Sequence, residues 1–536
     1  MKTSNYVIYI RVPEEDDYYL VHGYSGAVDK VSPSIVQYLL DRVDPNHTWH
    51  IKDIELVRES LAGREVTEPS PGAIQMLGER GYLTTMSSAE ERLYLERLTG
   101  FLHRKKLAST PQQFMFIPTY ECNLRCPYCF ETDTRVQLGK LKVLQNILLP
   151  NMVDAAYECM DMMLNERFDG HPERIPHKRS ITLYGGEPLT LETLPIIEYV
   201  CEKGAERGYT FSAITNGVDL HNFLHLLGPG KIEFLQITLD GPKAIHNRKR
   251  IGPRHKAGTF DRIIENIKLA LETGVRVSCR YHVDFNNISC TKELADELKR
   301  ERLHEHPNFN LYTYPYHMFH KGAETPKHPI MAIHDMHKEM SKIVAAAATE
   351  RQAGAEGAPE AAEGAEPANG VLRLQVPDDG IAHKLKAYLG GQVMGLFNSG
   401  FEPCGATTGL YIFDPFWKIY TCWDSVGMAG HETGTYSAEG PVLNSLNDQW
   451  LDRSPATIEE CKDCKYALMH FGGCASLPMN CRGTLFAPAC YDFQDNFIFV
   501  AQKLFRHGLQ NAMGQATLPA VMQEAGTAAE AGMAGD

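Results

Sequence analysis

The sequence predicts an α/β protein built around a partial parallel barrel, with a small domain before the barrel and a cysteine-rich region after it. Between Gln113 and about Phe319, apolar runs alternate with helical stretches, which is typical of a parallel α/β sheet or barrel. The runs are Phe114–Ile117, Ser180–Tyr184, Thr210–Thr215, Phe234–Leu239, Val275–Asp284 and Asn308–Tyr316. Six runs indicate a partial (β/α)6 barrel rather than a closed eight-stranded one, and ligands of such sheets bind at the carboxyl ends of the strands.

Residues 1–100 are predicted to form a winged-helix-like domain of their own. Two short apolar runs, Tyr6–Val12 and Tyr18–Val21, surround an acidic turn and predict a hairpin. Cap residues and apolar spacing predict three helices after the hairpin, beginning near Ser32, Ile54 and Ser70. A hairpin followed by three helices gives a small domain that is separate from the barrel.

The remaining boundaries follow from changes in composition. The barrel is predicted to span residues 101–342. Residues 343–371 are rich in Ala, Gly, Glu and Pro, which is typical of a flexible linker. Residues 372–510 are rich in Cys, and residues 511–536 are predicted to be a disordered tail. The cysteine-rich region has few long apolar runs, so we expect it to need metal ligation for stability.

Composition and charge argue against several classes of protein. The chain has 536 residues, 43% of them hydrophobic, and a net charge of −14 at pH 7, which argues against a nucleic-acid partner. We expect neither a secretory signal in Met1–Asn5 nor a membrane-spanning segment, and therefore a cytoplasmic protein with no membrane partner. Disulfides are unfavourable in that compartment, so metal or cluster ligation is the better use of most of the 14 cysteines. Cys159, Cys201, Cys279 and Cys290 have no ligand spacing and are expected to be buried hydrophobic residues.

Three cysteines, Cys122, Cys126 and Cys129, follow the first apolar run on a polar loop. Thiolates are the soft ligands that iron–sulfur clusters require. A cubane cluster has four irons, so three cysteines leave one iron available to a small molecule, which a purely structural cluster would not need. The triplet alone leaves a zinc knuckle or three buried thiols as alternatives.

The Cys-x3-Cys-x2-Cys spacing, with the aromatic Tyr128 before the last cysteine, resembles the signature of radical S-adenosylmethionine (SAM) enzymes. The resemblance implies a [4Fe–4S] cluster whose open iron binds the amino and carboxylate groups of SAM. It also implies that the reduced cluster cleaves SAM to a 5′-deoxyadenosyl radical, with Tyr128 packed against the adenine.

Residues at the strand ends match the same family pattern. Gly185-Gly186-Glu187-Pro188 resembles the segment that binds the SAM amino group, because glycines let the backbone approach a ligand and Glu187 can accept hydrogen bonds from an ammonium. The resemblance extends to later strand ends and to an arginine that could pair with the SAM carboxylate, although an ordinary ion pair is its alternative. These further candidates are Thr215, Asn216, Thr238, Asp240 and Arg280.

The cysteine-rich region resembles the SPASM domain, which holds auxiliary [4Fe–4S] clusters in radical SAM enzymes that act on peptides and proteins. The resemblance implies a nearer and a farther set of ligands. The nearer set is Cys404, Cys422 and Cys474, and the farther set is Cys461, Cys464 and Cys490. At one further family position the chain has His470, so histidine ligation, an open iron or completion by Cys481 stay open. A zinc site is the alternative for the whole region.

Asp424 is a tentative catalytic residue. Relatives that oxidise a substrate residue keep an acid near the corresponding cysteine as a proton acceptor. Here the acid is shifted by one position, because Trp423 lies between it and Cys422. A surface turn residue is the alternative interpretation of Asp424.

Together the resemblances imply a radical SAM enzyme of an oxidoreductase type that modifies a ribosomally made peptide or a protein. It would use SAM, the SAM-binding cluster and one or two auxiliary clusters, with electrons from a low-potential donor such as flavodoxin or ferredoxin. The N-terminal domain resembles leader-recognition domains, in which the precursor peptide adds a strand to the sheet edge. A cap domain that serves only for packing is the alternative interpretation. The alternatives are a sulfatase maturase that forms formylglycine, which would not require that domain, and a zinc-stabilised interaction protein.

Overall fold

The computed structural model describes most of the chain between its first residue and residue 506. The described residues are 1–47, 50–129, 131, 147–252, 257–315, 335–336, 338–339, 374–375, 380–389, 404–490 and 493–506. The predicted linker at 343–371 and the predicted tail at 511–536 lie outside the described residues.

The first hundred residues contain a three-stranded antiparallel sheet of order β2-β3-β4, a two-stranded sheet of β1 and β5, and several helices. The strands are β1 Lys2–Thr3, β2 Val7–Arg11, β3 Tyr18–His22, β4 Val28–Val31 and β5 Leu83–Thr84. The helices are α1 Pro33–Leu40, α2 Lys52–Leu61, α3 Pro71–Glu79 and α4 Ser88–Ser109. The α3 helix begins with the Ser70 hydroxyl accepting from the Ala73 N–H, and α4 begins with a capping box of Ser87 and Glu90. Strand β4 was not predicted from the sequence.

Both faces of the β2-β3-β4 sheet are covered, because alternate residues of a strand point to opposite faces. One face packs on helices α1 to α3 through Val7, Tyr9, Tyr18 and Leu20. The other face packs on the cysteine-rich part of the chain and the helix after it, through Tyr6, Ile8, Ile10, Tyr19 and Val21. The N-terminal sheet and the C-terminal region therefore share one hydrophobic core.

Six parallel strands form the barrel, and this confirms the six runs that the sequence predicts, each to within two residues. The strands are β6 Gln113–Phe116, β7 Arg179–Leu183, β8 Tyr209–Thr215, β9 Ile232–Leu239, β10 Arg276–Val283 and β11 Phe309–Pro315. The helices that pack around them are α5 Pro150–Arg167, α6 Leu194–Glu206, α7 Lys243–Lys249, α8 Phe260–Glu272 and α9 Thr291–Arg300. A short strand, β12 Leu374–Gln375, pairs in parallel with β11.

The barrel sheet continues directly into the cysteine-rich region. Strand β13, Leu410–Phe413, pairs in parallel with β6, and the Ile117 N–H donates to the Phe413 carbonyl at 2.9 Å. Beyond it the sheet becomes antiparallel through β14 Lys418–Tyr420, β15 Gly434–Ser437 and β16 Gly440–Leu443. The helices of this part are α10 Ile381–Leu389, α11 Ser445–Asp452, α12 Ala467–His470, α13 Ser476–Arg482 and α14 Phe493–Phe505. Backbone hydrogen bonds thus join the two regions that the sequence predicts as separate domains.

The barrel strands place apolar side chains outward and polar side chains inward. On β10, Val277, Cys279 and Tyr281 lie in the core beneath the helices, whereas Ser278 and Arg280 alternate with them. The inward side chains bond across neighbouring strands, as Thr182 does with Ser212 at 2.9 Å, Tyr312 with Gln236 at 2.9 Å and Asn310 with Ser278 at 3.3 Å. The barrel therefore has a polar lumen.

No helix within the described ranges combines the length and the apolar character that crossing a membrane requires.

Candidate active site

Cys122, Cys126 and Cys129 lie on the loop that follows β6, and all three side chains are partly exposed. Two donors approach the first thiol. The Leu124 N–H lies 3.3 Å from Cys122 Sγ, and the Asn216 side-chain amide lies 3.8 Å from it. Hydrogen bonds to sulfur are typical of cluster thiolates, whose potential they help to set.

The two glycines after β7 lie directly against the backbone of the cysteine loop. Gly185 has a φ of +125°, and a Cβ at Gly186 would lie 2.3 Å from the carbonyl oxygens of Tyr120 and Glu121. The Gly186 N–H donates to the Thr119 carbonyl at 3.1 Å, and the Glu187 N–H donates to the Glu121 carbonyl at 2.9 Å. The close backbone approach that these glycines permit is therefore to the cysteine loop itself.

Glu187 is buried and connects the ends of two strands. Its carboxylate accepts hydrogen bonds from the Thr215 hydroxyl at 2.6 Å, the Asn216 N–H at 2.7 Å and the Leu189 N–H at 3.0 Å. Burial raises the pKa of Glu187 to about 7, although these three donors oppose the rise. The neighbouring Pro188 is also buried, and its carbonyl accepts from the Thr193 hydroxyl at 2.7 Å.

Asn216 extends this network to the cysteines. Its side-chain amide donates to Asn123 Oδ1 at 2.7 Å, and the Asn123 amide donates in turn to Asp219 at 3.0 Å. The loop that carries Cys122 is therefore hydrogen-bonded to the ends of both β7 and β8, which fixes the position of the first thiol.

Asp240, at the end of β9, is a buried acceptor for two residues of the site. The Tyr128 hydroxyl and Arg250 Nε, the latter at 3.0 Å, both donate to Asp240 Oδ2. Burial opposes ionisation of Asp240, but Arg250, helped by His282, His246 and Tyr128, holds its pKa below the ordinary value. The Tyr128 hydroxyl is thus already hydrogen-bonded to Asp240, and its ring is the part that is available to contact an adenine.

Arg280 lies inside the lumen beside Thr238, its register partner on β9. Its guanidinium lies over the Tyr314 ring at 4.1 Å from the centroid. Its Nε is buried and has no hydrogen-bond partner among the residues that the structure describes. A buried donor without a partner is costly, so Arg280 is suited to an anionic ligand such as a carboxylate.

The cysteines of the C-terminal region fall into two groups. Cys422 is buried and interacts electrostatically with Cys404 and Cys474, while Cys464 is buried and interacts with Cys461 and Cys490. Burial raises the pKa of Cys461 to about 12 and that of Cys464 well above its ordinary value, so these thiols need a positive charge or a metal to ionise. The membership of the two groups is that of the nearer and farther sets in the sequence analysis.

His470 and Cys481 are the two candidates for a further ligand. His470 lines a cavity of about 140 Å³ together with Cys404, Cys474, Arg453 and Lys384. Burial lowers the pKa of His470 to about 3, which keeps a ring nitrogen free of its proton. Cys481 lies on α13, and its thiol has no interaction with either group among the described residues. Over the same residues, no three His, Cys, Asp or Glu side chains lie close enough together to hold one metal ion.

Asp424 is half-buried on the 3₁₀ turn Trp423–Ser425. It interacts electrostatically with all three thiols of the nearer group and with Arg280 of the lumen. Burial raises the pKa of Asp424, and Arg280 opposes the rise. Asp424 is therefore within electrostatic range of both the nearer cysteines and Arg280 of the barrel lumen.

Comparison with known proteins assigns the barrel to a family. Residues 116–298 match the family model of the radical SAM superfamily, a range that contains the three loop cysteines and every strand-end candidate. This part of the chain is a radical SAM domain. Domains of this superfamily are enzymes that use SAM and a [4Fe–4S] cluster.

Two curated relatives each match less than half of the chain. The chain is 26% identical over 239 residues to molybdenum cofactor biosynthesis protein 1 of Drosophila melanogaster, covering 44% of this chain and 38% of that protein. It is 27% identical over 182 residues to GTP 3′,8-cyclase of Clostridium perfringens strain SM101, covering 31% of this chain and 46% of that protein. The chain thus spans less than half the length of the curated relatives it matches.

Among solved structures, the chain resembles native anSMEcpe with bound AdoMet, with a TM-score of 0.51 and 17% identity, over 76% of this chain and all of that one. It also resembles native anSMEcpe with bound AdoMet and Cp18Cys peptide, with a TM-score of 0.50 and 16% identity, over 75% of this chain and 98% of that one. At this identity the likeness shows a common fold.

The donor sets of the chain fit the groups that the radical SAM superfamily uses. Cys122, Cys126 and Cys129 would hold the SAM cluster, since they are three partly exposed thiols with N–H donors aimed at one of them. The orphaned Arg280 Nε fits the SAM carboxylate. In the C-terminal region two sets of three thiols and an adjacent cavity fit auxiliary clusters.

The sequence analysis did not single out several residues of the site. Asn123 has no motif signal of its own, because its importance comes from contacts with Asn216 and Asp219. Tyr184, just before the two glycines, interacts electrostatically with Cys129 as well as with Cys422 and Asp424. It therefore lies near both the loop of Cys122–Cys129 (the SAM loop) and the nearer cysteines. Its position at a strand end was the only available signal.

Proposed function

We propose that this radical SAM enzyme is a maturase that modifies a peptide or protein. The observation that carries the proposal is Asp424, which interacts electrostatically with three C-terminal thiols and with Arg280 of the lumen. A second redox-active region at the mouth of a SAM site is useful when the substrate must lose an electron and a proton after hydrogen abstraction. The similarity in fold to the anSMEcpe structure with bound Cp18Cys peptide supports a peptide as the substrate.

Residues of the chain would have separate roles in positioning the cysteine loop, orienting SAM and accepting a proton. When bound, the SAM cluster and SAM supply a radical that removes a hydrogen atom from an unactivated carbon. Glu187 and Asn216 hold the cysteine loop in place, and Arg280 orients the SAM carboxylate. Asp424 accepts the proton that the substrate releases, since its raised pKa makes it a stronger base than an exposed carboxylate.

Substrate delivery would involve the edge of the N-terminal sheet. The β2 edge is occupied, because the Tyr9 N–H donates to Asp53 at 2.8 Å and the Arg11 carbonyl accepts from Gln502 at 2.8 Å. Strand β4 at the other edge pairs only with β3 within the described ranges. A leader segment of the substrate would therefore add as a strand next to β4.

The test begins with anaerobic reconstitution and iron analysis, followed by incubation with SAM and dithionite. We expect 5′-deoxyadenosine and, with a co-expressed short peptide encoded beside the gene, a change in the peptide's mass. Cys290→Ala is the matched control, since Cys290 belongs to neither group of thiols. A colourless protein that contains zinc but no iron would contradict the proposal in favour of a zinc-stabilised interaction protein.

Two enzymatic alternatives are separated by the substrate. Turnover of GTP, without modification of any peptide, would assign the chain to the activity named for its curated cyclase relative. Conversion of a serine or cysteine in a sulfatase-derived peptide to formylglycine would assign it to the sulfatase maturases, whose likeness to this chain is one of fold.

A further inference from the structure

Arg453 is a buried cation that the proposed function does not use. It follows α11 and is 3% exposed. Its guanidinium donates to four backbone carbonyls: Nε to Leu485 at 2.7 Å, Nη2 to Gly472 at 3.0 Å and to Ala487 at 3.3 Å, and Nη1 to Phe471 at 3.4 Å. Arg453 forms no ion pair with a carboxylate among the described residues. A buried charge that only neutral carbonyls hold is unfavourable unless an anion lies nearby.

The ionisable groups near Arg453 are thiols of both auxiliary sets, which become anionic when they ligate a cluster. It interacts electrostatically with Cys461 and Cys490 of the farther set and with Cys404 and Cys474 of the nearer set. Two geometric observations agree. A Cβ at Gly472 would lie 3.4 Å from Arg453 Nη2 and 3.5 Å from Cys461 Sγ, and Arg453 lines the same cavity as Cys404 and Cys474. The guanidinium therefore lies between the two sets of ligands.

We propose that Arg453 is a shared counter-charge for both auxiliary cluster sites, a positioning residue that sets the reduction potentials of the clusters bound there. This inference rests on the proposed function, because it requires auxiliary clusters. A cubane with thiolate ligands is anionic and becomes more so on reduction, so a fixed positive charge beside it favours the reduced form. Arginine keeps its charge even when buried, and a lysine at this position would stay charged beside anionic clusters.

A second role follows from the same contacts. The four carbonyls belong to the 471–472 and 485–487 segments, which lie close in sequence to Cys474 and Cys490. The planar fork of the guanidinium holds these segments together, so the geometry of the ligands and their charge balance depend on one side chain.

The test compares charge-keeping and charge-removing variants of the reconstituted full chain, Arg453→Lys against Arg453→Met and Arg453→Gln. Potentials are measured by EPR-monitored redox titration of each cluster, and iron is measured separately. We expect Arg453→Met and Arg453→Gln to lower both auxiliary potentials so that the reduced-to-oxidised ratio at a fixed potential falls at least about tenfold, which is 59 mV for one electron. Arg453→Lys should retain most of the wild-type value, and the SAM cluster should not shift in any variant.

Arg167→Met is the matched control. Arg167 is also part-buried and donates to a backbone carbonyl, that of Leu107 at 2.5 Å, but it lies on α5 and its electrostatic partners do not include the auxiliary thiols. Arg167→Met should leave all three potentials unchanged. If Arg453→Met and Arg453→Gln fail to assemble the auxiliary clusters while Arg453→Lys and Arg167→Met assemble them, that loss of iron supports the same charge requirement.

Other outcomes overturn the inference. Unchanged auxiliary potentials in Arg453→Met with full iron would show that the charge has no effect on the clusters. Equal losses in Arg453→Lys and Arg453→Met would show that the fork is needed only for structure. A wild-type chain that binds only about four irons, enough for one [4Fe–4S] cluster, would overturn the auxiliary part of the proposed function as well.

Discussion

The two cysteine regions of this chain are built in opposite ways. The SAM-loop thiols Cys122, Cys126 and Cys129 come from eight consecutive residues and are partly exposed. The auxiliary cysteines come from residues 404–490, and Cys422, Cys461 and Cys464 are buried. The segment from Cys464 to Phe471 also packs on the N-terminal sheet in a common core. The first region is therefore a single loop at the end of a barrel strand. The second region contributes to the hydrophobic core that joins the N-terminal and C-terminal parts of the chain.

Removing one cysteine ligand from each region tests this structural difference most directly. We expect Cys126→Ala to abolish 5′-deoxyadenosine formation while the thermal unfolding midpoint of the chain stays near that of the wild type, because Cys126 is partly exposed and packs only against the margin of the barrel core. Cys464→Ala should instead lower the midpoint and expose residues 1–110 to proteolysis, since Cys464 lies in the core shared with the N-terminal sheet. Liquid chromatography of the products measures the loss of 5′-deoxyadenosine. Thermal unfolding followed by circular dichroism measures the change in the midpoint.

Cys290→Ala serves as the control for both, since this cysteine lies outside the two regions. Equal losses of stability in Cys126→Ala and Cys464→Ala would contradict the distinction between a local and a structural cysteine region.

A second change reaches the SAM loop without touching a cysteine. At Gly186 an added Cβ would meet the carbonyl oxygens of Tyr120 and Glu121 at 2.3 Å, and backbone atoms cannot move aside as side chains do. We expect Gly186→Ala to displace the loop, to lose the iron of the SAM cluster and to cost about 1–3 kcal/mol of stability. Iron analysis and urea unfolding measure these losses.

Gly72→Ala is the matched control, since nothing lies within 4 Å of a Cβ there and Gly72 is an exposed residue of α3. It should retain full iron and gain up to about 1 kcal/mol of stability, because Ala is the better helix former. Full iron in Gly186→Ala would show that the loop does not depend on close backbone contact with the strand end.

The join between the auxiliary region and the N-terminal domain contains a buried ion pair. Lys465 Nζ lies 2.6 Å from Asp53 Oδ1, and both side chains are at most 1% exposed. Removing one partner leaves an unpaired buried charge, so we expect Lys465→Met to cost about 3–5 kcal/mol in urea unfolding. Lys30→Met, which breaks a partly exposed pair with Glu15 in the same domain, should cost about 0–1 kcal/mol. Similar costs for the two variants would contradict the idea that this join is a structural core.

The sequence supports the local features of the molecule far better than the long-range ones. The six barrel strands and the cysteine loop follow from apolar runs and from spacing within a few residues, which local sequence determines. By contrast, the parallel pairing of β13 with β6 and the pairing of Lys465 with Asp53 join residues hundreds of positions apart. No periodicity marks such contacts. Arg453 gave no signal for the same reason, since its partners are carbonyl groups that every residue has.

Strand β4 shows a different limit. The segment Val28–Val31 reads Val-Asp-Lys-Val, with two charged residues in a four-residue strand, so its composition does not predict a strand. Its pairing with β3 and the ion pair of Asp29 with Arg80 at 2.7 Å place it in the sheet. Here tertiary contacts override local preference.

The smallest predicted effect concerns a side-chain hydrogen bond between Tyr120, just before the SAM loop, and the C-terminal region. The Tyr120 hydroxyl donates at 3.0 Å to Asp414, which lies between β13 and β14 and also accepts from the Phe416 and Lys418 N–H groups. Burial raises the pKa of Asp414 to about 6, although these donors oppose the rise.

Because the folded chain binds this proton more tightly than the unfolded chain does, protonated Asp414 stabilises the fold at low pH. That contribution is complete below the ordinary aspartate pKa of about 3.9 and is lost as pH rises to about 6. Asp414→Asn cannot titrate, so the stability of the wild type relative to this variant should fall between about pH 4 and pH 6. Urea unfolding at pH 4, 5 and 6 measures the difference. Asp16→Asn, at an almost fully exposed carboxylate, is the control for the loss of one negative charge. A constant difference for Asp414→Asn would mean that Asp414 is ionised throughout this range, and that the contact between the two regions is a charged hydrogen bond rather than a neutral one.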